Sequence, residues 1–195
     1  TIQAAMDHQS GVLSAEEGDF RTAFSYFYEA YENYESIPGA RAEQIRALKY
    51  MCLTKIMLDE SEHIALLLTG KRAVESRDLD AMRALAKAFE KRSLAMYHET
   101  LATFNDQLAH DMVIARHATR LYEKLLEKEI IRVVEPYDVV DLERISGIVK
   151  LPLDKLERSI SSLILDKKIR GVLDQSTLTL TVYRPPANDR TYTKS

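Results

Sequence analysis

Between Leu153 and Val182 the apolar residues change their spacing once, and that change fixes what the last quarter of the chain can build. Leu153, Leu156, Ile160, Leu163 and Ile164 recur at i, i+3, i+7, i+10 and i+11, one stripe down a helix. Pro152 stands at its start, where the N–H groups have no intrahelical partner and a missing one costs nothing. From Ile169 the period drops towards two. Ile169, Gly171, Val172 and Leu173 lead through Asp174-Gln175-Ser176 to Thr177, Thr179 and Thr181, which alternate with Leu178, Leu180 and Val182. This pattern predicts a hairpin with its Leu/Leu/Val row inward and its Thr row outward. Upstream, Leu142, Ile145, Ile148 and Val149 keep helical intervals behind Asp141, whose carboxylate is suited to cap a helix N-terminus. Leu121 to Tyr183 thus reads as a helix, a short extended segment, two helices and a two-stranded wing, the outline of a winged helix.

A winged helix holds either nucleic acid or protein, and charge separates the two. Between Tyr137 and Tyr183 seven basic residues (Arg144, Lys150, Lys155, Arg158, Lys167, Lys168, Arg170) face seven acidic ones (Asp138, Asp141, Glu143, Asp154, Glu157, Asp166, Asp174). A duplex-binding module needs a basic face, because neutralising phosphates supplies most of its affinity. Here the helix that would read bases interleaves Asp154 and Glu157 with Lys155 and Arg158, and Ser176 to Tyr183 holds no cation. The balance points to a protein partner, with nucleic acid as the alternative.

The rest of the chain reads as helix, with six glycines and five prolines in 195 residues. In Ser10 to Tyr31, Gly18-Asp19 supplies a turn. Ala23, Phe27, Ala30 and Tyr34 make one apolar stripe, while Phe20, Phe24, Tyr28 and Tyr31 make an adjacent one. A helix apolar around so much of its circumference must be covered on two sides, as stacked helical pairs are. This unit, with Gly11 where the first helix needs a small residue, resembles a tetratricopeptide-type hairpin. Further helices are expected at Ala42 to Leu58, Glu62 to Leu68, Leu79 to Phe89, Leu94 to Leu108 and Met112 to Glu127, the last three behind Asp78, Ser93 and Asp111 as N-caps. Within the first of these, Ile45, Leu48, Met51, Cys52 and Ile56 face inward.

Composition and motifs argue against several chemistries. The net charge of −3 gives no standing attraction for polyanions, and the single cysteine, Cys52, cannot form an internal disulfide. A lone cysteine fits a reducing compartment, and its neighbours Tyr50, Met51 and Leu53 mark it as a buried thiol. Gly70-Lys71 lacks the first glycine of a phosphate loop, since Ala65 stands in its place. His8, His63, His98, His110 and His117 are scattered, and the pair His110 and His117 reads as solvated or capping rather than metal-binding. Lys87, Lys91 and Arg92 form a small basic cluster on a solvated face. No enzyme, cofactor or metal is expected. Thr1 and Ser195, the latter in a polar tail, read as the ends of a fragment.

The order of elements, together with Tyr122, Leu125, Leu126, Ile130, Ile131, Glu135-Pro136-Tyr137 and the block Ile164 to Gln175, resembles the PCI domain of the proteasome lid, the COP9 signalosome and translation initiation factor 3. The words SYFYEAYENYESI (Ser25 to Ile37), LKYMCLTKIML (Leu48 to Leu58) and KRSL (Lys91 to Leu94) are similar to the lid's non-ATPase regulatory subunit 11 family. The resemblance implies a mainly α protein: TPR-like repeats in a right-handed solenoid over 1–110, a winged helix over 111–184 with a linking helix at 111–128, and a polar tail at 185–195. It implies a cytoplasmic and nuclear scaffold whose partners are other PCI subunits of the lid and subunits of the proteasome base and core. Such subunits end in a long helix, whereas Pro185 to Tyr192 carries no helical pattern. The strand Ser176 to Tyr183 is expected at a sheet edge, offering Thr177, Thr179, Thr181 and Tyr183 to a neighbouring winged helix, with Lys155 and Arg158 as a second surface.

Overall fold

The computed structural model describes residues 2–69 and 76–184. Two compact units divide between Leu125 and Leu126, inside a long helix rather than at its start. Both are dominated by helix, as the spacing predicts.

In the first unit α1 (Ile2–Glu17), α2 (Phe20–Glu35) and α3 (Arg41–Met57) pack in succession. Gly11 is what lets α1 approach α2, because a Cβ there would lie 2.7 Å from the Phe27 ring. Phe27 is fully buried, edge-on to His8 at 5.7 Å and Tyr50 at 5.3 Å between ring centroids. The turn between α1 and α2 needs Gly18 at φ +89°, and Asp19 caps α2 by accepting the Thr22 N–H at 3.1 Å. After a 3₁₀ turn (Ser61–His63) come α4 (Ile64–Leu67), α5 (Arg77–Glu90), α6 (Leu94–Thr103), α7 (Asn105–Leu108) and the first half of α8 (Met112–Val134). The thiol of Cys52 is buried, and desolvation pushes its pKa up to about 12.

Asp111 ties this unit together. Its carboxylate caps α8 by accepting the Val113 and Ile114 amides, and it also takes Lys49 Nζ at 3.0 Å and Tyr50 Oη at 3.1 Å from α3. Lys49 is almost wholly buried, so the pair and the Gln107 carbonyl, 2.9 Å away, replace the water it has lost.

Four expectations for the helices up to α8 need correction. The N-cap of α5 is Ser76, and Asp78 sits in the first turn, where its charge still favours the positive helix end. The single helix expected from Leu94 to Leu108 breaks at Phe104 (φ −113°, ψ 29°), just after Thr100 has turned its hydroxyl onto the Met96 carbonyl, a bond that bends helices. α8 runs on to Val134 instead of ending near Glu127. Its β-favouring Ile130, Val133 and Val134 are buried, and burial outweighs propensity. His117 is buried against Phe20, neither solvated nor capping, whereas His110 is exposed with Nδ1 3.1 Å from the Asp106 carbonyl. The Thr69-Gly70 break and the polar tail fall partly or wholly outside the described residues.

The second unit holds the rest of α8, β1 (Val139–Asp141), α9 (Leu142–Val149), α10 (Leu153–Leu165), β2 (Gly171–Asp174) and β3 (Thr179–Val182). Ile130, Leu142, Ile145, Leu156, Ile160, Leu163 and Leu180 are its most deeply buried side chains along these elements. α9 begins behind Asp141 as expected, but the Asp141 side chain makes no cap bond; the helix is instead tied to the sheet by the Leu142 N–H, which donates to the Leu178 carbonyl at 2.9 Å.

Candidate protein-interaction surface

The three strands lie in the order β1-β3-β2, both pairings antiparallel. β3 is therefore the central strand, which overturns the expectation that Ser176 to Tyr183 forms an edge. The hairpin is there, but the short extended segment ahead of α9 adds itself along the other side of β3.

The register settles where every strand amide points. The Tyr183 N–H donates to the Arg170 carbonyl at 2.7 Å, so pairs 170/183, 172/181 and 174/179 are the hydrogen-bonded ones and face each other. The Val182 N–H donates to the Asp138 carbonyl at 2.8 Å, which turns residues 180 and 182 to β1. β3 is used on both sides. Gly171 and Leu173, by contrast, direct N–H and C=O away from β3 to an edge that no described strand covers. Val139 and Asp141 do the same along β1.

One face of this sheet turns outward. Across it runs Val139, Thr181, Val172, with Asp141, Thr179, Asp174 as the next row and Tyr183 at the end of β3. Val139, Val172 and Tyr183 are each more than half exposed, at 58%, 53% and 56%. On the inner face Val140, Leu180 and Leu173 align, and Gly171 lies so close to β3 that a Cβ would overlap the Thr181 carbonyl oxygen.

The sequence-derived residues are distributed over this frame unevenly. Thr179 and Thr181 are half-buried on β3, and Thr177 is exposed in the turn. The Thr179 hydroxyl bonds the Thr177 carbonyl and hydroxyl at 3.1 and 3.0 Å, so it is satisfied within the hairpin. Asp174 organises that turn by accepting the Ser176 hydroxyl and amide, contacts that hold its pKa below the ordinary carboxylate value. Lys155 and Arg158 are exposed on α10, the side of the helix opposite Leu156, Ile160 and Leu163. Tyr183 shares the outward face with Val139 and Val172. Sequence reasoning missed Val139, Val172 and the backbone of Gly171 and Leu173. The Val139-Val140 pair was the available signal, a short β-favouring run whose pairing partner lies some forty residues away.

Among the described residues no group of three or more His, Cys, Asp or Glu side chains could hold a metal, and no helix is long and apolar enough to cross a membrane. The PCI domain family matches residues 101–184. The chain is 42% identical over 194 residues to the 26S proteasome non-ATPase regulatory subunit 11 of Dictyostelium discoideum, covering 98% of this chain and 46% of that protein. It is 43% identical over 193 residues to the probable 26S proteasome regulatory subunit rpn6 of Schizosaccharomyces pombe (98% and 46%), and 40% identical over 192 residues to the subunit 11 homolog of Arabidopsis thaliana (97% and 45%). It thus spans about half the length of the relatives it matches. Residues 101–184 thus form a PCI domain, in a chain matched over nearly all of its length by 26S proteasome regulatory subunits 11 and rpn6.

Proposed function

We propose that this chain is part of a non-catalytic scaffold subunit of the 26S proteasome regulatory-particle lid, working in the cytoplasm and nucleus. Its second unit acts as a winged helix that joins neighbouring PCI subunits, and its helical pairs form a TPR-like right-handed solenoid. Contacts with the base and core belong to the same reading. The observation that carries it is the β2 edge, which no described strand covers, beside the outward Val139–Thr181–Val172 row, since an edge of N–H and C=O groups with no lysine or proline on the strand to blunt it is suited to strand addition. Thr177, Thr179, Thr181 and Tyr183 then serve as the outward face next to the joint rather than as the joint, with Lys155 and Arg158 on the second surface. The names of the relatives support the complex.

Val172→Lys tests this in the full-length parent. The side chain is outward and exposed, so the fold should keep its stability within about 0.5 kcal/mol while a charge now guards the edge. Affinity purification and mass spectrometry should then find the variant outside the proteasome and the wild type inside it. Normal incorporation of the variant sinks the β2 joint, and a wild type that co-purifies with another PCI complex, such as the COP9 signalosome, replaces the lid with that assembly. Thr179→Pro is no test of the joint: the Thr179 N–H faces β2, so proline there breaks the sheet itself.

A further inference from the structure

Helix packing in the first unit leaves a hollow of about 310 Å³ where α6 breaks at Phe104 and α7 starts on a new line. Leu85, Tyr97, Leu108, Ile114 and Leu121 make its floor, each nearly or fully buried. The rest of its lining is Leu101, Asn105 and three alanines. Ala115 and Ala118 on α8 and Ala109 at the rim are too short to reach across the gap that the broken helix opens, and interiors elsewhere are close-packed. The size falls at the lower end of the range for small-molecule sites, and the makeup, an apolar lining with very few polar groups, is the usual one.

The polar group that matters is the Tyr97 hydroxyl. Tyr97 is 3% exposed, and burial, with Tyr122 nearby, raises its pKa, so it remains a donor. Its sole acceptor among the described residues is the Ala118 carbonyl at 3.5 Å, beyond the 2.5–3.0 Å typical of O–H···O bonds. A buried donor without a good acceptor is costly, and a ligand that supplies one recovers that cost. We propose that this hollow is a binding site for a compact apolar molecule carrying a single hydrogen-bond acceptor, seated between α6, α7 and α8 with the acceptor on Tyr97 Oη. Asn105 lines the hollow as an exposed polar side chain. The lining excludes charged ligands, since it contains no ionised side chain. Neither the scaffold role nor the sheet edge in the other unit enters this argument.

Two probes of nearly the same shape test it, acetophenone with a carbonyl acceptor and ethylbenzene without one, followed by saturation-transfer NMR on the 195-residue chain. Acetophenone should bind roughly two- to tenfold more tightly than ethylbenzene, the worth of one net hydrogen bond. Tyr97→Phe should remove that preference and keep the binding of ethylbenzene. Ala118→Leu fills the hollow and should abolish both signals. Should that variant lose its helical circular dichroism, Ala109→Leu decides instead, because Ala109 is exposed at the rim and blocks entry without touching the core. Absence of binding by either probe, equal affinities in the wild type, or binding that survives the blocking variant overturns the proposal.

Discussion

A missing β-carbon at position 11 sets the distance between the first two helices, and its replacement separates two opposing effects. Gly11→Ala gains up to about 1 kcal/mol of helix propensity, but the new methyl overlaps a fully buried, rigid ring, and overpacking costs about 1–3 kcal/mol. The clash should win, so chemical denaturation should show a net loss, relieved when Phe27→Leu is added. Phe27→Ala alone should cost about 3–5 kcal/mol, since the site is held by rings on two sides. Gly11 and Phe27 were legible from their spacing. His117 was not, because a polar residue on a helix gives no sign of which side the neighbouring chain will cover. Among the described residues its ring nitrogens, and His8 Nδ1, have no hydrogen-bond partner. Burial lowers both pKa values first, with Arg120 and Arg116 adding to the effect at His117 and Arg46 at His8, where Asp111 opposes it. A base whose folded pKa is depressed binds fewer protons when folded. Stability is therefore complete above the unfolded value of about 6.5 and falls as the pH drops below it, by up to about 1.4 kcal/mol per pH unit for each group. Urea midpoints between pH 7.5 and 5 should show this slope, and His117→Phe should flatten it.

At the level of elements, the periodic stripes identified α10 and the hairpin, and the same stripes could not place β1. Alternation tells which face of a strand is buried; it does not tell which edge is paired, and Val139–Asp141 is too short to announce a strand by itself. The break at Phe104 was invisible for a related reason, since no proline or glycine marks it and only the local bonding of Thr100 does. Two substitutions probe the second unit. Leu163→Ala removes a side chain 1% exposed in the α10 stripe and should cost about 2–5 kcal/mol. Gly171→Ala should cost about 1–3 kcal/mol, because the obstruction is a backbone carbonyl on β3 that cannot rotate away. If thermal denaturation finds Gly171→Ala as stable as wild type, β2 has room for a methyl group beside β3.

For the molecule as a whole, charge makes the clearest prediction. With a net charge of −3 and seven cations balanced by seven anions across Tyr137 to Tyr183, the chain should show no retention on duplex DNA that weakens steeply with salt. Fluorescence anisotropy at low and physiological ionic strength measures this, and a steep salt slope would bring back the nucleic-acid reading. The uncovered β2 edge also bears on solution behaviour. A strand that ends a sheet with unspent amides and a bare valine beside them is a template for any extended segment, including its own copy. The isolated chain should therefore associate as its concentration rises, and Val172→Lys should keep it monomeric in sedimentation velocity. Inside a cell, the same edge would make an unassembled copy sticky until a partner strand covers it, so that folding alone leaves the polypeptide unfinished.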